Sequence, residues 1–582
     1  MIERRVWAPT AERVELVVDR ERRDMLRELG GWWRGAWEDL APGTDYSFAL
    51  DGGDPLPDPR AAQLPNGVHG PARVVDHAAY QWPATESGWQ PPSLAGAVIY
   101  ELHIGTFSPE GTFDGAAARL GHVADLGATH VEVMPVHSFP GTRGWGYDGV
   151  GLFAPHEPYG GPDGLRRFVA EAHRLGLAVL LDVVYNHLGP DGNYLPRFGP
   201  YLTNRHATPW GPAINLDDAG SHEVRRFLAD NAIMWLRDYR VDGLRLDAAD
   251  TLVDQSAIHV LEQLATEVAA VGEREGRHFV LVAESDLNDP RLVRPVELGG
   301  YGLDAAWSDD VHHAIHTALT GERTGYYADF GGIPDLVKAL RDSYVYDGRF
   351  SKARQRRHGR PATGVDPGRF VAFAQNHDQV GNRARGERLS HLVGADALRV
   401  AAALVLAGPF VPLLFMGEEW AASTPFLYFT DHNDPELVEA VLSGRSGAFA
   451  AFGWAPEDVP DPQDPGTFAA SRLAWNEVGQ PPHADVLAWH RELIELRRRH
   501  PGLRDGRRPE IVWRRGDDAF LVERAGVTVA YNLGAVAATL ELRRGETDVL
   551  ASSSAIGRPD GGTFALPAMS VAMLAAPDAA LV

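Results

Sequence analysis

The sequence predicts a multidomain protein built on a central (β/α)8 barrel, flanked by an N-terminal β-sandwich and a C-terminal β-sandwich. Three observations carry that expectation. Apolar runs of strand length alternate with stretches of helical spacing, which implies a parallel sheet covered on both faces. Several of these runs close on polar residues: Val241-Asp-Gly-Leu-Arg-Leu-Asp247, His278-Phe-Val-Leu-Val-Ala-Glu284, Leu177-Ala-Val-Leu-Leu-Asp-Val-Val-Tyr-Asn-His187 and Phe370-Val-Ala-Phe-Ala-Gln-Asn-His-Asp378. A barrel gathers such strand ends on one face, where its site lies. Finally, short strand-like pieces separated by turn residues fill both ends of the chain. The expected domains are residues 1–92, 93–504 and 505–582.

Composition narrows the function classes. With 582 residues, 44% of them hydrophobic and 23% charged, the chain is globular and too long for one ordinary domain. Fifty-five Lys and Arg against 79 Asp and Glu give a net charge of −24, so nucleic acid and anionic membranes are poor partners, whereas neutral sugars are not excluded. There is no cysteine, hence neither disulfides nor thiolate metal ligands. The start, Met1-Ile-Glu-Arg-Arg-Val-Trp-Ala-Pro9, lacks an apolar signal core, and no run is long enough to span a bilayer. A cytoplasmic enzyme is the simplest expectation. No repeat of fixed period is seen.

Taken in order, Val6-Trp-Ala8, Val14-Glu-Leu-Val-Val18 and Tyr46-Ser-Phe-Ala-Leu50 read as sandwich strands around the turn Pro42-Gly-Thr-Asp45. Trp32, Trp33 and Trp37 are either sandwich core or sugar platforms, and core is the commoner fate. Residues 54–70, rich in Pro and Gly, read as a linker laid on the barrel. Val98-Ile-Tyr-Glu-Leu-His-Ile104 and Thr129-His-Val-Glu-Val-Met-Pro135 are the first two barrel strands, with helical spacing over 115–126. The long segment 137–162 is an aromatic, glycine-rich loop holding Trp145-Gly-Tyr-Asp-Gly149, and loops of that length are usually functional. Helices are expected over 165–175, 223–239, 256–270, 392–406 and 484–500, the last stopped by Pro501. Residues 189–220 make a second long excursion with Tyr194, Tyr201 and Trp210. Tyr301-Gly-Leu-Asp-Ala-Ala-Trp307 is strand six, Asn376 ends strand seven, and strand eight lies in Pro412-Leu-Leu-Phe-Met-Gly-Glu-Glu419. Residues 321–368 form an insertion whose basic piece, 352–360, reads as a solvated segment. Ile511-Val-Trp513, Ala519-Phe-Leu-Val522, Val527-Thr-Val-Ala-Tyr531 and Ala538-Thr-Leu-Glu-Leu542 return to alternating strands.

The chemistry starts at Asp247. Arg245 lies one residue away on the same face of its strand, and a guanidinium favours the ionised carboxyl beside it and can hold it bidentately. Either this is a structural pair at a strand end, or Asp247 is a carboxylate nucleophile kept charged. Glu284 ends another strand, in an apolar setting that would raise its pKa. An ionised Asp facing a protonated Glu is the equipment for glycoside hydrolysis.

Asp182-Val-Val-Tyr-Asn-His187, Gly243-Leu-Arg-Leu-Asp247, Glu284 and Asn376-His-Asp378, in this order, resemble the four signatures of the α-amylase family of glycoside hydrolases. The resemblance implies Asp247 as nucleophile, Glu284 as acid/base and Asp378 as the transition-state carboxylate, with retention at the anomeric carbon. It implies Tyr147 as a sugar platform (otherwise a plug of the barrel mouth) and Arg245, His187 and His377 as substrate-binding residues, the histidines donating to ring hydroxyls. Gln379 and Asn382, just after Asp378, join that set. No metal and no cofactor are expected. Two departures from the family pattern are Asp250, where a histidine is common, and Glu284-Ser-Asp286.

Within the family, Tyr100-Glu-Leu-His-Ile-Gly-Thr-Phe107, Tyr159-Gly-Gly-Pro162, Trp307-Ser-Asp-Asp-Val-His-His313, Gly325-Tyr-Tyr-Ala-Asp329 and Phe426-Leu-Tyr-Phe-Thr-Asp-His432 are most similar to its trehalose-releasing members. That implies a maltooligosyltrehalose substrate, prepared by a maltooligosyltrehalose synthase that isomerises the reducing end of a glucan. The carboxylates specify cleavage, not this regiochemistry. For the latter, Asp309, Asp310, His312 and His313 are the candidates on the leaving-group side, or else a polar loop packed beneath the insertion. A glycogen branching enzyme is the rival expectation, separated by residues 308–313. A non-catalytic glucan-binding barrel would have lost a carboxylate, and all three are present.

Overall fold

Eight strands, each parallel to the next, close into a barrel at the centre of the chain. They are β1 (Ile99–Leu102), β2 (His130–Val133), β3 (Ala178–Val183), β4 (Gly243–Leu246), β5 (Val280–Ala283), β6 (Ala305–Trp307), β7 (Phe370–Phe373) and β8 (Val411–Phe415), and β8 pairs back to β1 with Leu413 opposite Ile99. The computed structural model describes residues 4–35, 40–450, 454 and 459–576, so Trp37 lies outside the described residues. The principal helices around the barrel are α1 (Gly161–Arg174), α2 (Ser221–Asp238), α3 (Val260–Glu275), α4 (Asp309–Thr320), α5 (Ala395–Leu406) and α6 (His483–Arg499).

The two-residue period of a strand explains why the site is where it is. Along β4, Leu244 and Leu246 join the outer core beneath the helices, so Arg245 points into the barrel. Inward-facing Ile99, Leu180, Val280, Val282, Val371, Phe373 and Leu413 form a separate apolar plug. Above it the same inward positions carry ionisable groups: Glu101, Glu132, Asp182 and Arg245 are all nearly inaccessible to solvent. The barrel is therefore apolar at its base and ionisable at its mouth.

The N-terminal strands form two antiparallel sheets, one joining Val14–Val18 to Glu21–Asp24 and Asp45–Leu50, the other Arg5–Trp7 to Trp32–Arg34. Trp33 is core and donates its indole N–H to the Ala8 carbonyl at 3.0 Å. Trp32 is half-buried beneath the guanidinium groups of Arg5 and Arg60. The segment 54–70 is pinned to the barrel by Arg60 on Asp230 of α2, at 2.9 Å, and by Gln63 on Glu157. At the other end, a five-stranded sheet faces a two-stranded one across Leu521, Ala530, Phe564, Leu566, Ala572 and Leu574. Its outer face packs on α5, where the Tyr531 hydroxyl donates to the Ala403 carbonyl at 3.1 Å.

Several stretches read as loops are ordered elements. Residues 137–162 hold the hairpin His137–Ser138 with Gly151–Pro155 and run directly into α1. The excursion 189–220 contains the hairpin Leu202–Thr208 with Gly211–Ile214, which carries Trp210 at its tip. The insertion holds a helix, Ile333–Asp342, and a hairpin of Asp347–Ser351 with Arg356–Gly359, so the basic piece is a folded arm. Residues 309–313 are the first turns of α4, not a loop.

Candidate active site

Arg245 is the hub of the barrel mouth. It is fully buried, and its Nη1 lies 2.6 Å from Asp247 Oδ1 and 3.0 and 2.9 Å from the two oxygens of Asp182. Its Nη2 is 3.6 Å from Glu284 Oε2. One guanidinium thus holds carboxylates from the ends of β3, β4 and β5. The expected two-pronged grip on Asp247 is corrected to a single short contact, because Nη1 is shared with Asp182. Arg245 also stacks on Trp307, 4.4 Å from the ring centre. It is fully buried and does not border either cavity; it holds Asp247 and Glu284, which do.

Glu284 sits in a different electrostatic setting. Burial raises its pKa well above the carboxylate range; Arg245 opposes this, and Asp247, Asp309 and Asp378 add to it. Its Oε2 accepts the Ala248 backbone N–H at 2.5 Å. Ala248 adopts the left-handed region, φ 36° and ψ 50°, a strain of about 1 kcal/mol for a non-glycine residue that aims this N–H at Glu284. Asp182 is raised to about 7 by burial, with Arg245 opposing and Asp247 reinforcing.

On the far wall, the His377 ring is clamped between Glu101 and Tyr147. Its Nδ1 meets Glu101 Oε1 at 2.5 Å, its backbone N–H meets Oε2 at 3.0 Å, and Nε2 donates to the Tyr147 hydroxyl oxygen at 2.7 Å. That hydroxyl in turn donates to Asp182 at 2.7 Å. The Tyr147 ring lies flat on His377, with 5.2 Å between centroids. Burial alone would lower the His377 pKa; the carboxylates of Glu101 and Asp378 outweigh it and raise the value to about 9. The folded-state pKa lies above the ordinary 6.5, so this pair contributes stability fully below pH 6.5 and loses it as pH rises through 9. Glu101→Gln should therefore cost about 3 kcal/mol at pH 6, from an imidazolium left unpaired in the interior, and far less above pH 9. Thermal unfolding of both proteins at the two pH values measures this.

Asp378 is partly open to the cavity and is held by Asn382 Nδ2 at 3.1 Å. Gly381 stands where any Cβ would overlap the Trp145 indole, and Gly146, at φ 99°, makes the turn that presents Tyr147.

Two adjoining cavities share Glu284, Asp378 and Asn382. One, of about 700 Å³, also has Tyr147, Asp148, His187, Trp210 and Asp247 in its wall. The other, of about 760 Å³, has Asp286, Asp309, His313, Tyr326, Arg354 and Gln379. In the first, His187 stacks on Trp210 at 4.4 Å and 8°, and its Nε2–H donates to the Tyr147 carbonyl at 3.0 Å. The remaining nitrogen, Nδ1, is left as an acceptor, buried and without a partner among the described residues, whereas a donor to a ring hydroxyl was expected. In the second, Asp309 is raised to about 7 by burial and by Asp286, Asp378 and Asp310. Asp286 is lowered to about 2, because His358 and Arg354 outweigh its burial. Asp250 is half-buried and raised, first by burial and then by Asp286 and Asp247.

His312 is turned away from both cavities. Its nitrogens are taken by the Ala374 carbonyl at 2.8 Å and the Tyr327 hydroxyl at 3.0 Å, so it is a packing residue and not a substrate ligand. Asp310 is at the cavity edge, but its Oδ2 is occupied by the backbone N–H groups of Val345 and Tyr346 and by Asn288, at 2.6 to 2.7 Å. It ties the insertion to α4. Trp210, Asp148, Tyr326 and Arg354 are cavity residues that the motifs did not single out.

A parallel barrel whose mouth holds an Asp, a Glu whose pKa burial raises and a second Asp above a buried Arg is the arrangement of a glycoside hydrolase of the α-amylase type. Residues 72–200 match the family model for the α-amylase catalytic domain, and residues 2–64 match carbohydrate-binding module 48, the isoamylase N-terminal domain. The malto-oligosyltrehalose trehalohydrolase of Arthrobacter ramosus is 52% identical over 539 residues, 91% of this chain and 93% of the relative. A crystal structure from Salmonella typhimurium, of a protein whose α-amylase name is provisional, superposes with a TM-score of 0.89 at 39% identity over 98% of this chain and 97% of that one. A 1,4-alpha-glucan branching enzyme of Xanthomonas oryzae is 34% identical over only 54% of this chain and 49% of its own. The chain belongs to the malto-oligosyltrehalose trehalohydrolase family.

Proposed function

We infer that this protein hydrolyses the α-1,4-glucosidic bond next to the terminal trehalose of a maltooligosyltrehalose, releasing trehalose and a maltooligosaccharide. The observation that carries the site assignment is the pair of cavities meeting at Glu284 and Asp378. The bond to be cut spans that junction. The glucan extends past Asp247, Tyr147 and Trp210, and trehalose occupies the half walled by Asp309, His313, Gln379 and Arg354.

In the first step the Asp247 carboxylate attacks the anomeric carbon while Glu284 gives its proton to the glycosidic oxygen. Trehalose departs with a free hydroxyl, leaving a glucosyl ester on Asp247. Glu284, now a carboxylate, takes a proton from water, whose oxygen attacks the same carbon, and Asp247 leaves. Two inversions retain the α-configuration. Burial raises the Glu284 pKa and so favours the proton it has to give, while Arg245 provides Asp247 with a fixed counter-charge at no cost in reorganisation. Asp378 lies where it can accept hydroxyl hydrogen bonds from the distorted sugar. The preparation of the substrate by a synthase is part of the same reading.

The test compares maltohexaose with the same glucan ending in trehalose. Release of trehalose from the second, with little cutting of the first, is expected. Equal cutting, or branched products from amylose, would reject this specificity. Trp210→Ala should raise KM by about 2- to 10-fold, a stacking loss of roughly 0.5–1.5 kcal/mol, and leave kcat nearly unchanged.

A further inference from the structure

A cavity of about 730 Å³ lies at the other end of the barrel, bordered by Gly96 just before β1 and by Val411 at the start of β8. It is walled by five arginines and two aspartates, within a chain whose net charge is −24. Arg294, Arg369, Arg497 and Arg504 have no carboxylate partner among the described residues. Arg369 and Arg497 spend their Nη groups on backbone carbonyls: Arg369 on Val293 and Leu303, Arg497 on Leu406, Gly408, Leu503 and Phe410. Arg294 reaches only the Thr363 carbonyl, at 3.1 Å.

Carbonyl oxygens satisfy donors without neutralising charge. Arg497 is 2% exposed, and its Nε is buried with no acceptor among the described residues; the same holds for Nε of Arg524 behind it, at 3%. Burial, then the repulsion of Arg524 and Arg504, pushes the Arg497 pKa down to about 9. Asp505 is divided between Arg507 at 2.6 Å and Arg524 at 3.5 Å. Asp366, in the same wall, makes no ion pair among the described residues. The local charge is thus positive and under-compensated in a partly apolar cleft, which favours a bound anion.

We propose that this cavity binds a small phosphate-bearing anion, either inorganic phosphate or the phosphate ester of a sugar. Guanidinium forks match phosphate oxygens in pairs, and the exposed Arg504 and partly exposed Arg294 are free to turn inward as clamps. The ligand would bridge the loops before β6 and β7 and the segment 504–507, which already touch where Gly368 N–H meets the Gly506 carbonyl at 2.9 Å.

The experiment is calorimetric titration of the full chain with inorganic phosphate and with glucose 6-phosphate, at constant ionic strength with chloride as control. Wild type, Arg504→Ala and the double variant Arg504→Ala/Arg294→Ala are compared. One saturable site per chain is expected, weakened about 10-fold or more in the double variant, with kcat/KM for glucan hydrolysis unchanged in the absence of ligand. Tighter binding of the ester identifies a sugar phosphate, and equal binding identifies the free anion; both support the site. No saturable binding of either compound, or equal binding by the double variant, overturns it. Both substituted side chains reach solvent, so circular dichroism and unimpaired hydrolysis verify the fold.

Discussion

Asp247→Asn should lower kcat for trehalose release by about 10⁴-fold or more, roughly 5 kcal/mol of lost transition-state stabilisation. The amide is nearly isosteric and keeps an oxygen toward Arg245, which also retains Asp182 at 2.9 and 3.0 Å. Folding and substrate affinity should therefore change little, and the loss should fall on kcat. Steady-state kinetics with a direct binding measurement separate the two. A variant losing mainly affinity would place Asp247 among the binding residues.

Glu284→Gln should be as damaging with the natural substrate, about 10²- to 10⁴-fold, but in a way that chemistry can rescue. The glutamine oxygen can still accept the Ala248 N–H, so the local geometry survives. What is lost is the proton. A maltosyl fluoride, whose leaving group departs without protonation, should react in the first step at near wild-type rate and then stall as the glucosyl ester, for want of a base. The wild-type pH profile follows from the same residue. Its pKa is raised, chiefly by burial, and the acid needs its proton. Activity should hold at neutral pH and fall as pH rises through the Glu284 pKa, with kcat in the Glu284→Gln variant losing that alkaline limb. Rescue failing with the fluoride would show that the variant is broken for structural reasons.

The strand ends were legible because a period of two, once the apolar residues are assigned to the helix-facing side, sends Arg245, Asp247 and Glu284 to the interior. Glu101 and Glu132 followed the same rule and were passed over. Glu101 is the one charged residue of Ile99-Tyr-Glu-Leu102, Glu132 the one carboxylate of His130-Val-Glu-Val133, and the two lie directly opposite each other. A carboxylate there was a signal that the barrel interior is charged, and Glu101 proved to be the partner of His377. His312 was misread for a helical reason. Neighbours on α4 are about 100° apart, so His313 reaches the cavity while His312 turns into the core against Ala374 and Tyr327. Adjacent letters gave no means of choosing between them. Trp210 was visible as an aromatic, but its role depends on the hairpin that lifts it onto His187, a tertiary contact with no local signature. The same is true of Arg354, whose basic neighbourhood suggested solvent and whose partner, Asp286, is 68 residues away.

Double displacement by Asp247 and Glu284, both held by Arg245, is the step proposed to cut the bond beside trehalose. Early-time proton NMR of the reaction tests both halves in one spectrum. Double displacement at this bond yields trehalose together with a maltooligosaccharide whose new reducing end is the α-anomer, before mutarotation sets in. A β-anomer appearing first, or an α-anomer without trehalose, would contradict it.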